Sequence, residues 1–268
     1  MKIGIIGIGN MGSAIIERLV AENKWEILVT AKRSEKLRAF AKQHNVSAIE
    51  STLGLVEMSD IVLIAVKPHI FPEVLKEIRT ALKQQKKVIV SIAAGLTLEQ
   101  LRMLTKVEQQ AILRVMPNVA ALVGESTTAL VANKFVSTEA LKNVKEIFEA
   151  CGRVYEMEEK DFSSFIALAG SSPAMVFMLI DAMSRAGVKH GINKQVATDI
   201  ATQAVLGSAK LLGHSKENPW NLIDKVSSPG GTTVAGVLAL EEAGFLSAIT
   251  KGMDAIIDRD KEMSKNLS

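Results

Sequence analysis

Two clusters in this chain have the residue types for chemistry, and both are made of glycines and small hydroxyl side chains. Gly7-Ile8-Gly9-Asn10-Met11-Gly12 follows an apolar run directly and opens an amphipathic one. In that setting Gly7 permits a tight turn, Gly9 lets backbone approach a pyrophosphate, and Gly12 allows a helix to close on a strand. The N–H groups at the start of the helix have no partners within it and carry partial positive charge, which suits phosphates. The second cluster is Ser228-Pro229-Gly230-Gly231-Thr232-Thr233. Serine, proline and two glycines make a turn, and the threonines stand at a helix start. A capped helix would explain one serine and one glycine, but not two glycines beside two hydroxyls. Exposed N–H groups there form a cradle for a carboxylate, and a neighbouring threonine hydroxyl can hydrogen-bond a nitrogen.

The stretch Thr30-Ala31-Lys32-Arg33-Ser34 speaks to the choice of cofactor. NAD sites place Asp or Glu at the tip of the second strand, about twenty residues after the glycines, to hold the ribose 2′-hydroxyl. Here two cations and a hydroxyl stand instead, so Lys32, Arg33 and Ser34 favour the 2′-phosphate of NADPH, with NADH as the lesser candidate. Ala65-Val66-Lys67-Pro68 and Ala93-Ala94-Gly95 end two further strands. Ligands of doubly wound sheets bind beyond the carboxyl ends of the strands, which brings Ala65, Val66, Lys67, Pro68 and Ala94 to the same cleft.

Absences narrow the reaction. No lysine lies one or two turns into the helix after Gly170, where a hydroxyacid dehydrogenase would keep one for the carbinol proton. His44, His69, His190 and His214 have no triad-like setting, and no His/Cys/Asp cluster has metal-ligand spacing. Hydride transfer to an imine fits, because a protonated C=N accepts hydride without strong acid catalysis and the main demand is orientation.

The elements that must position these groups alternate between apolar and amphipathic runs in the first half, as βαβ units do. Strands are expected at 3–6, 26–30, 47–50, 61–66, 87–92, 111–115, 127–131 and 153–156. Helices are expected at 11–22, 34–44, 70–83, 97–104 and 138–150. After about residue 160 every segment reads as helix: 162–187, 194–213, 219–226, 232–242 and 244–265. This predicts an α/β fold with an N-terminal Rossmann, doubly wound, mostly parallel sheet (1–160) and a C-terminal all-helical dimerisation and substrate domain (161–268). Segments 174–186 and 196–212 are apolar nearly all round, so they need cover on every side. About 110 helical residues enclose two such helices poorly, and a second subunit is the expected cover.

The 268 residues carry a net charge of +3 with no like-charged run and only 4% aromatics, so nothing supports nucleic-acid binding. The N-terminus enters a strand at once, without the head and cleavage site of a signal peptide. No apolar segment approaches the ~20 uninterrupted residues of a membrane span. The expected setting is cytoplasmic, without a membrane partner. The single cysteine, Cys151, is expected to be buried and structural.

On these motifs the chain resembles the pyrroline-5-carboxylate reductase family over essentially its whole length. The matching stretches are GIGNMG at 7–12, AVKP at 65–68, AAG at 93–95, RVMPN at 114–118, LAGSSPA at 168–174 and VSSPGGTT at 226–233. The resemblance implies reduction of 1-pyrroline-5-carboxylate to L-proline by NAD(P)H, the last step of proline biosynthesis. It implies a homodimer, in many members assembled into a larger ring, with each active site where the cofactor domain meets helices of both subunits. It further implies that Thr233 hydrogen-bonds the ring nitrogen as proton donor, and that Ser228, Gly231 and Thr232 hold the carboxylate. Ile8, Gly9, Asn10, Met11, Ser34, Val66, Lys67 and Ala94 would contact the cofactor. Lys32 stands where many members have Asn, Ser172 where they have Gly, and Met175 where they have an aromatic residue. Two other readings stay open: a reductase of another cyclic imine, and a non-catalytic family member with a regulatory role.

Overall fold

The computed structural model describes residues 1–266, in two compact units: Met1–Ser171 together with the chain from Ile256 onward, and Ser172–Ala255. The first unit begins with β1 (Lys2–Ile6), α1 (Asn10–Glu22), β2 (Glu26–Thr30), α2 (Ser34–His44), β3 (Ser47–Ala48) and α3 (Thr52–Met58). It continues with β4 (Ile61–Ile64), α4 (Phe71–Gln84), β5 (Val88–Ser91), α5 (Leu98–Thr105) and β6 (Ala111–Met116). Then follow β7 (Ser126–Ala132), α6 (Thr138–Glu149), β8 (Gly152–Glu156) and α7 (Phe162–Phe165). The sheet order is β3-β2-β1-β4-β5-β6-β7-β8, and only the β6–β7 pairing is antiparallel. The Rossmann-type expectation therefore holds. The sequence reading did not anticipate α3, because Gly54 in the middle of a seven-residue segment weakens the helical pattern; the Ser51 hydroxyl starts it by accepting from Gly54 N–H.

β1 sits between β2 and β4, with Ile3 opposite Ile27 on one side and Ile61 on the other. Its alternating side chains serve two cores. Ile3 and Ile5 pack with Ile15, Ile16, Leu19 and Phe148. Ile6 joins Leu28, Val62, Phe71 and Ile78 on the other face. A sheet covered on both faces needs such apolar runs. Chain order reverses between β1 and β4, since β2 and β3 extend the sheet one way and β4 to β8 the other. That reversal opens a crevice at the carboxyl ends of the strands. Cys151 is fully buried, as expected, and burial pushes its thiol up to about 11, which leaves it inert.

The division of the chain differs from the sequence expectation of residue 160. Phe162, Phe165 and Ala169 pack with Ala129 of β7 in a third apolar cluster of the first unit. At the other end of the chain, the Ser163 hydroxyl donates to Asp260 at 2.8 Å, and the Gln100 amide donates to the Ser264 carbonyl at 3.1 Å. A helical period reports that a face is apolar, not which sheet or helix it packs on.

The second unit contains α8 (Ser172–Lys189), α9 (Lys194–His214), α10 (Pro219–Val226), α11 (Thr232–Glu242) and the first part of α12 (Phe245–Asn266). α8 and α9 meet closely, with Ser184 and Thr198 hydroxyls 2.8 Å apart and Gly187 against Ala197. Asp181 accepts from Lys194 at 2.7 Å and from Arg185, which holds its carboxyl below the usual range. Even so, Ser184 is the one buried residue of α8, and Ala197 and Ala201 those of α9. Phe177, Met178, Ile200 and Leu238 stand between 56% and 73% exposed, so these helices are not packed centrally within one subunit. The helical stretch Glu159–Lys189 is long and apolar enough to cross a membrane by length and composition, as is the bent pair Thr232–Glu242 and Phe245–Ser264. The helix expected at 162–187 lies within the first stretch, where a π turn at Ile166–Gly170 and a bend at Ser171 precede α8, and Asp181 and Arg185 interrupt its apolar run.

A Cβ at Gly4, in the middle of β1, would lie 2.1 Å from Ser59 Oγ and 2.5 Å from Leu55 Cδ2. Overpacking of this kind costs about 1–3 kcal/mol, so Gly4→Ala should lower the urea midpoint of the first unit's unfolding. An unchanged midpoint, followed by circular dichroism, would contradict that packing.

Candidate active site

The glycine turn after β1 is shaped by close approaches. Gly7 has φ +107° and donates its N–H to the Thr30 carbonyl at 2.9 Å. A Cβ there would meet the Ala65 carbonyl oxygen at 2.9 Å, and one at Gly12 would lie 2.3 Å from Gly7 O. Both glycines are therefore required by the chain's own packing. Gly9 differs: a Cβ on it would meet nothing within 4 Å. It is the N-cap of α1, offers no side-chain cap, and no acidic residue lies in the first turn. The N–H groups of Asn10, Met11 and Gly12 stand at an uncapped helix start, which is what a pyrophosphate requires. Ile8 is buried, and its carbonyl accepts the Ser13 hydroxyl at 3.1 Å, which stiffens the turn.

The adjoining cleft is lined by Gly7, Thr30, Ala31, Lys32, Ser34 and Val66, among others. Lys32 and Ser34 face it. Arg33 caps α2 from an exposed position and is not among the lining residues. Glu50, Glu73 and Glu77 also line the cleft, and the carboxylate of Glu50 is held by Arg38, whose Nε donates at 2.8 Å. Ala65 follows β4 and donates its N–H to the Ile6 carbonyl at 2.8 Å. Lys67 and Pro68 start a 3₁₀ turn at Pro68–Ile70, and Ala94 follows β5 just before Gly95, whose φ is +79°. The residues expected at the cofactor thus gather at one edge of the sheet, with Arg33 exposed between Lys32 and Ser34. The groups present fit a dinucleotide: an open helix start, a glycine whose missing Cβ leaves free space, and Lys32 with Ser34 at the second-strand tip.

The second motif is local to the second unit. Ser228, Pro229, Gly230 and Gly231 form a β-turn in which Gly231 N–H donates to the Ser228 carbonyl at 2.9 Å. Pro229 presets the second position and Gly230 takes φ +68° at the third, a type II pattern. Gly231 is the N-cap of α11 and gives it no side-chain cap; a Cβ there would lie 2.4 Å from Ser228 Oγ. The N–H groups of Thr232, Thr233 and Val234 are left at an open helix start, with both threonines exposed. Such a start binds a carboxylate, and the hydroxyls beside it can donate to a second polar atom. Met175 packs at Gly252 in the same unit, its methyl 3.1 Å from where a Cβ would stand.

Two residues of the RVMPN stretch belong to the first unit's buried polar frame, and sequence reasoning gave them no role. Arg114 is buried, pairs through Nη1 with Glu159 Oε1 at 3.1 Å, and lies 4.4 Å over the Phe162 ring. The same Glu159 oxygen accepts Leu98 N–H at 2.7 Å, at the start of α5. Asn118 is the second. The available signal was a charged and an amide residue flanking an apolar strand end, which fits a surface position equally well.

Residues 159–263 match the family model described as pyrroline-5-carboxylate reductase dimerisation, and residues 2–95 match NADP oxidoreductase coenzyme F420-dependent. The pyrroline-5-carboxylate reductase of Aquifex aeolicus is 41% identical, over 100% of this chain and 97% of that one. The crystal structure of the 1-pyrroline-5-carboxylate reductase of Streptococcus pyogenes is similar at TM-score 0.86 and 39% identity, covering 98% of each chain. That of the Plasmodium falciparum pyrroline carboxylate reductase with NADP bound has TM-score 0.88 and 30% identity, again over 98% of each. With both motifs folded as open helix starts and the likeness running from end to end, this chain belongs to the pyrroline-5-carboxylate reductase family.

Proposed function

We propose that the chain reduces the C=N bond of 1-pyrroline-5-carboxylate to give L-proline, with NADPH as the preferred reductant and NADH as a weaker one. Full-length membership of the family carries this reading, and the intact geometry of both helix starts supports it. The reduced nicotinamide supplies the hydride. In the reduction a C–H bond forms at the imine carbon, the π electrons of C=N pass to nitrogen, and a proton on that nitrogen completes the ring amine. The N–H groups at the start of α1, with Gly9 leaving room, hold the pyrophosphate. Asn10, Met11, Val66, Lys67 and Ala94 flank it, and Lys32 and Ser34 take the 2′-phosphate.

Ser228, Gly231 and Thr232 hold the substrate carboxylate at the α11 start, where partial positive charge favours an anion. The Thr233 hydroxyl donates to the ring nitrogen as the lone pair forms there and supplies its proton, which solvent returns to the hydroxyl. The exposed apolar faces of α8, α9 and α11 are best covered by a second copy of this chain, since that region matches a dimerisation family and Phe177, Ile200 and Leu238 are costly to leave in water. We infer a cytosolic homodimer, working where NADPH is supplied.

Thr233→Ala should lower kcat about 10- to 1000-fold, in line with losing one positioned proton donor, and Thr233→Ser should restore much of it; NADPH oxidation with pyrroline-5-carboxylate reads both. An alanine variant as fast as the parent would remove Thr233 from the mechanism, and faster turnover of a six-membered imino acid would reassign the substrate. Gly9→Glu should abolish cofactor binding by bulk and like charge, measured by quenching of protein fluorescence.

For Lys32→Ala we expect NADPH to weaken about tenfold or more while NADH changes little, as for one charge-assisted hydrogen bond. Equal weakening of the two would assign 2′-phosphate recognition elsewhere. The pair Ile200→Asp and Leu238→Asp should shift the protein to monomers in sedimentation with loss of turnover. A variant that stays dimeric would place the interface on another face.

A further inference from the structure

Asn118 lies two residues beyond the end of β6, on the carboxyl edge shared by β1, β4, β5 and β6, which are mutually parallel. It is 7% exposed, and each of its polar groups is in use. Its side-chain oxygen accepts Ala120 N–H at 3.2 Å and Thr127 N–H at 3.3 Å. Its backbone N–H donates to Ser126 Oγ at 3.2 Å, and that hydroxyl lies 3.0 Å from Thr128 Oγ1. Its Nδ2 donates to the Ala169 carbonyl at 2.9 Å. None of these partners titrates.

The bond to Ala169 has a local cause. Residues Ile166–Gly170 form a π turn, closed by Ser171 N–H donating to the Ile166 carbonyl at 2.8 Å. Four residues after Ala169 stands Pro173, which has no N–H to give back to the Ala169 carbonyl. A buried carbonyl without a donor is costly, and Asn118 reaches across from β6 to supply one. The amide orientation follows from the set: two N–H groups face the oxygen and one carbonyl faces the nitrogen. π turns inside helices occur often at functional sites, and this one lies where the chain leaves the first unit.

We propose that Asn118 is a positioning residue for the reduction: one side chain locks the loop after β6, at the ligand-bearing edge of the sheet, to the π turn that precedes α8. It acts through these backbone groups and touches neither reactant. The proposal rests on the function put forward above. Asparagine is required because the site needs a donor and an acceptor on one short side chain. Aspartate, isosteric but ionised, would turn a second acceptor on the Ala169 carbonyl. Once protonated it would again donate there.

The test compares Asn118→Asp and Asn118→Ala with the parent enzyme in steady-state reduction of pyrroline-5-carboxylate, alongside NADPH affinity and circular dichroism. Both variants should fold and bind NADPH within about threefold of the parent, with kcat down about 10- to 100-fold, as for a small loss of orientation, and KM less affected. For Asn118→Asp the ratio of its kcat to the parent's should rise about tenfold as pH falls and the new carboxyl, raised by burial against a carbonyl, becomes protonated; for Asn118→Ala that ratio should stay flat. An aspartate variant with a flat ratio, kcat within twofold of the parent in either variant, or failure of both to fold would overturn the proposal, the last by making the residue merely structural. A parent enzyme inactive on pyrroline-5-carboxylate but still binding NADPH would overturn the function itself, and this role with it.

Discussion

The approach of α1 to the ends of β1 and β4 is the constraint from which the cofactor end of the molecule follows. A Cβ at Gly12 would lie 2.3 Å from Gly7 O, and one at Gly7 would press on Ala65 O, so the helix can begin where it does only because both atoms are missing. That closeness holds α1's first N–H groups at the crevice where strand order reverses. Gly9 then adds what packing does not ask for, an open space over an uncapped helix start. Two glycines build the turn, and the third keeps it accessible. The separation matters for reading such motifs, because only the unpacked glycine points to a ligand.

The second helix start reaches a similar end by a different device. At α11 a type II turn with Pro229 and Gly230 brings the chain in, and Gly231 is barred from a side chain by Ser228. Both sites thus leave backbone donors free by placing glycine at the N-cap, where Ser, Thr or Asp would normally consume one. The contrast with α3, α5 and α6 is direct: Ser51, Thr97 and Ser137 each accept from the backbone N–H three residues on. α2 and α4 also lack a side-chain cap, but only α1 and α11 among these helices combine that with glycine at the N-cap.

The helical unit shows the limit of a single chain. α8 and α9 bury only a few small residues against each other, and large side chains such as Phe177 and Met178 remain in water. Apolar faces of that size mark an interface or a membrane. Asp181, tied to Lys194 and Arg185, fixes the α8–α9 pairing on its polar side.

Much of this was legible in the residues alone. Uninterrupted apolar runs at 3–6 and 61–64 could only be strands covered on both faces, and Gly7-x-Gly9-x-x-Gly12 after the first of them required a strand, a turn and a helix in that order. The Ser228–Thr233 motif was readable for the same reason: proline and glycine restrict backbone locally, and local rules survive without tertiary context. What tertiary structure decided was partnership. It grouped residues 162–171 with the sheet through Phe162 and Phe165, carried α12 back to Ser163 and Gln100, and showed β7 running against β6. It also gave Asn118 its work, because the carbonyl that Pro173 leaves without a donor lies 51 residues along the chain. Periodicity tells which face of an element is apolar or polar; which distant surface completes that face is settled only when the chain has closed on itself.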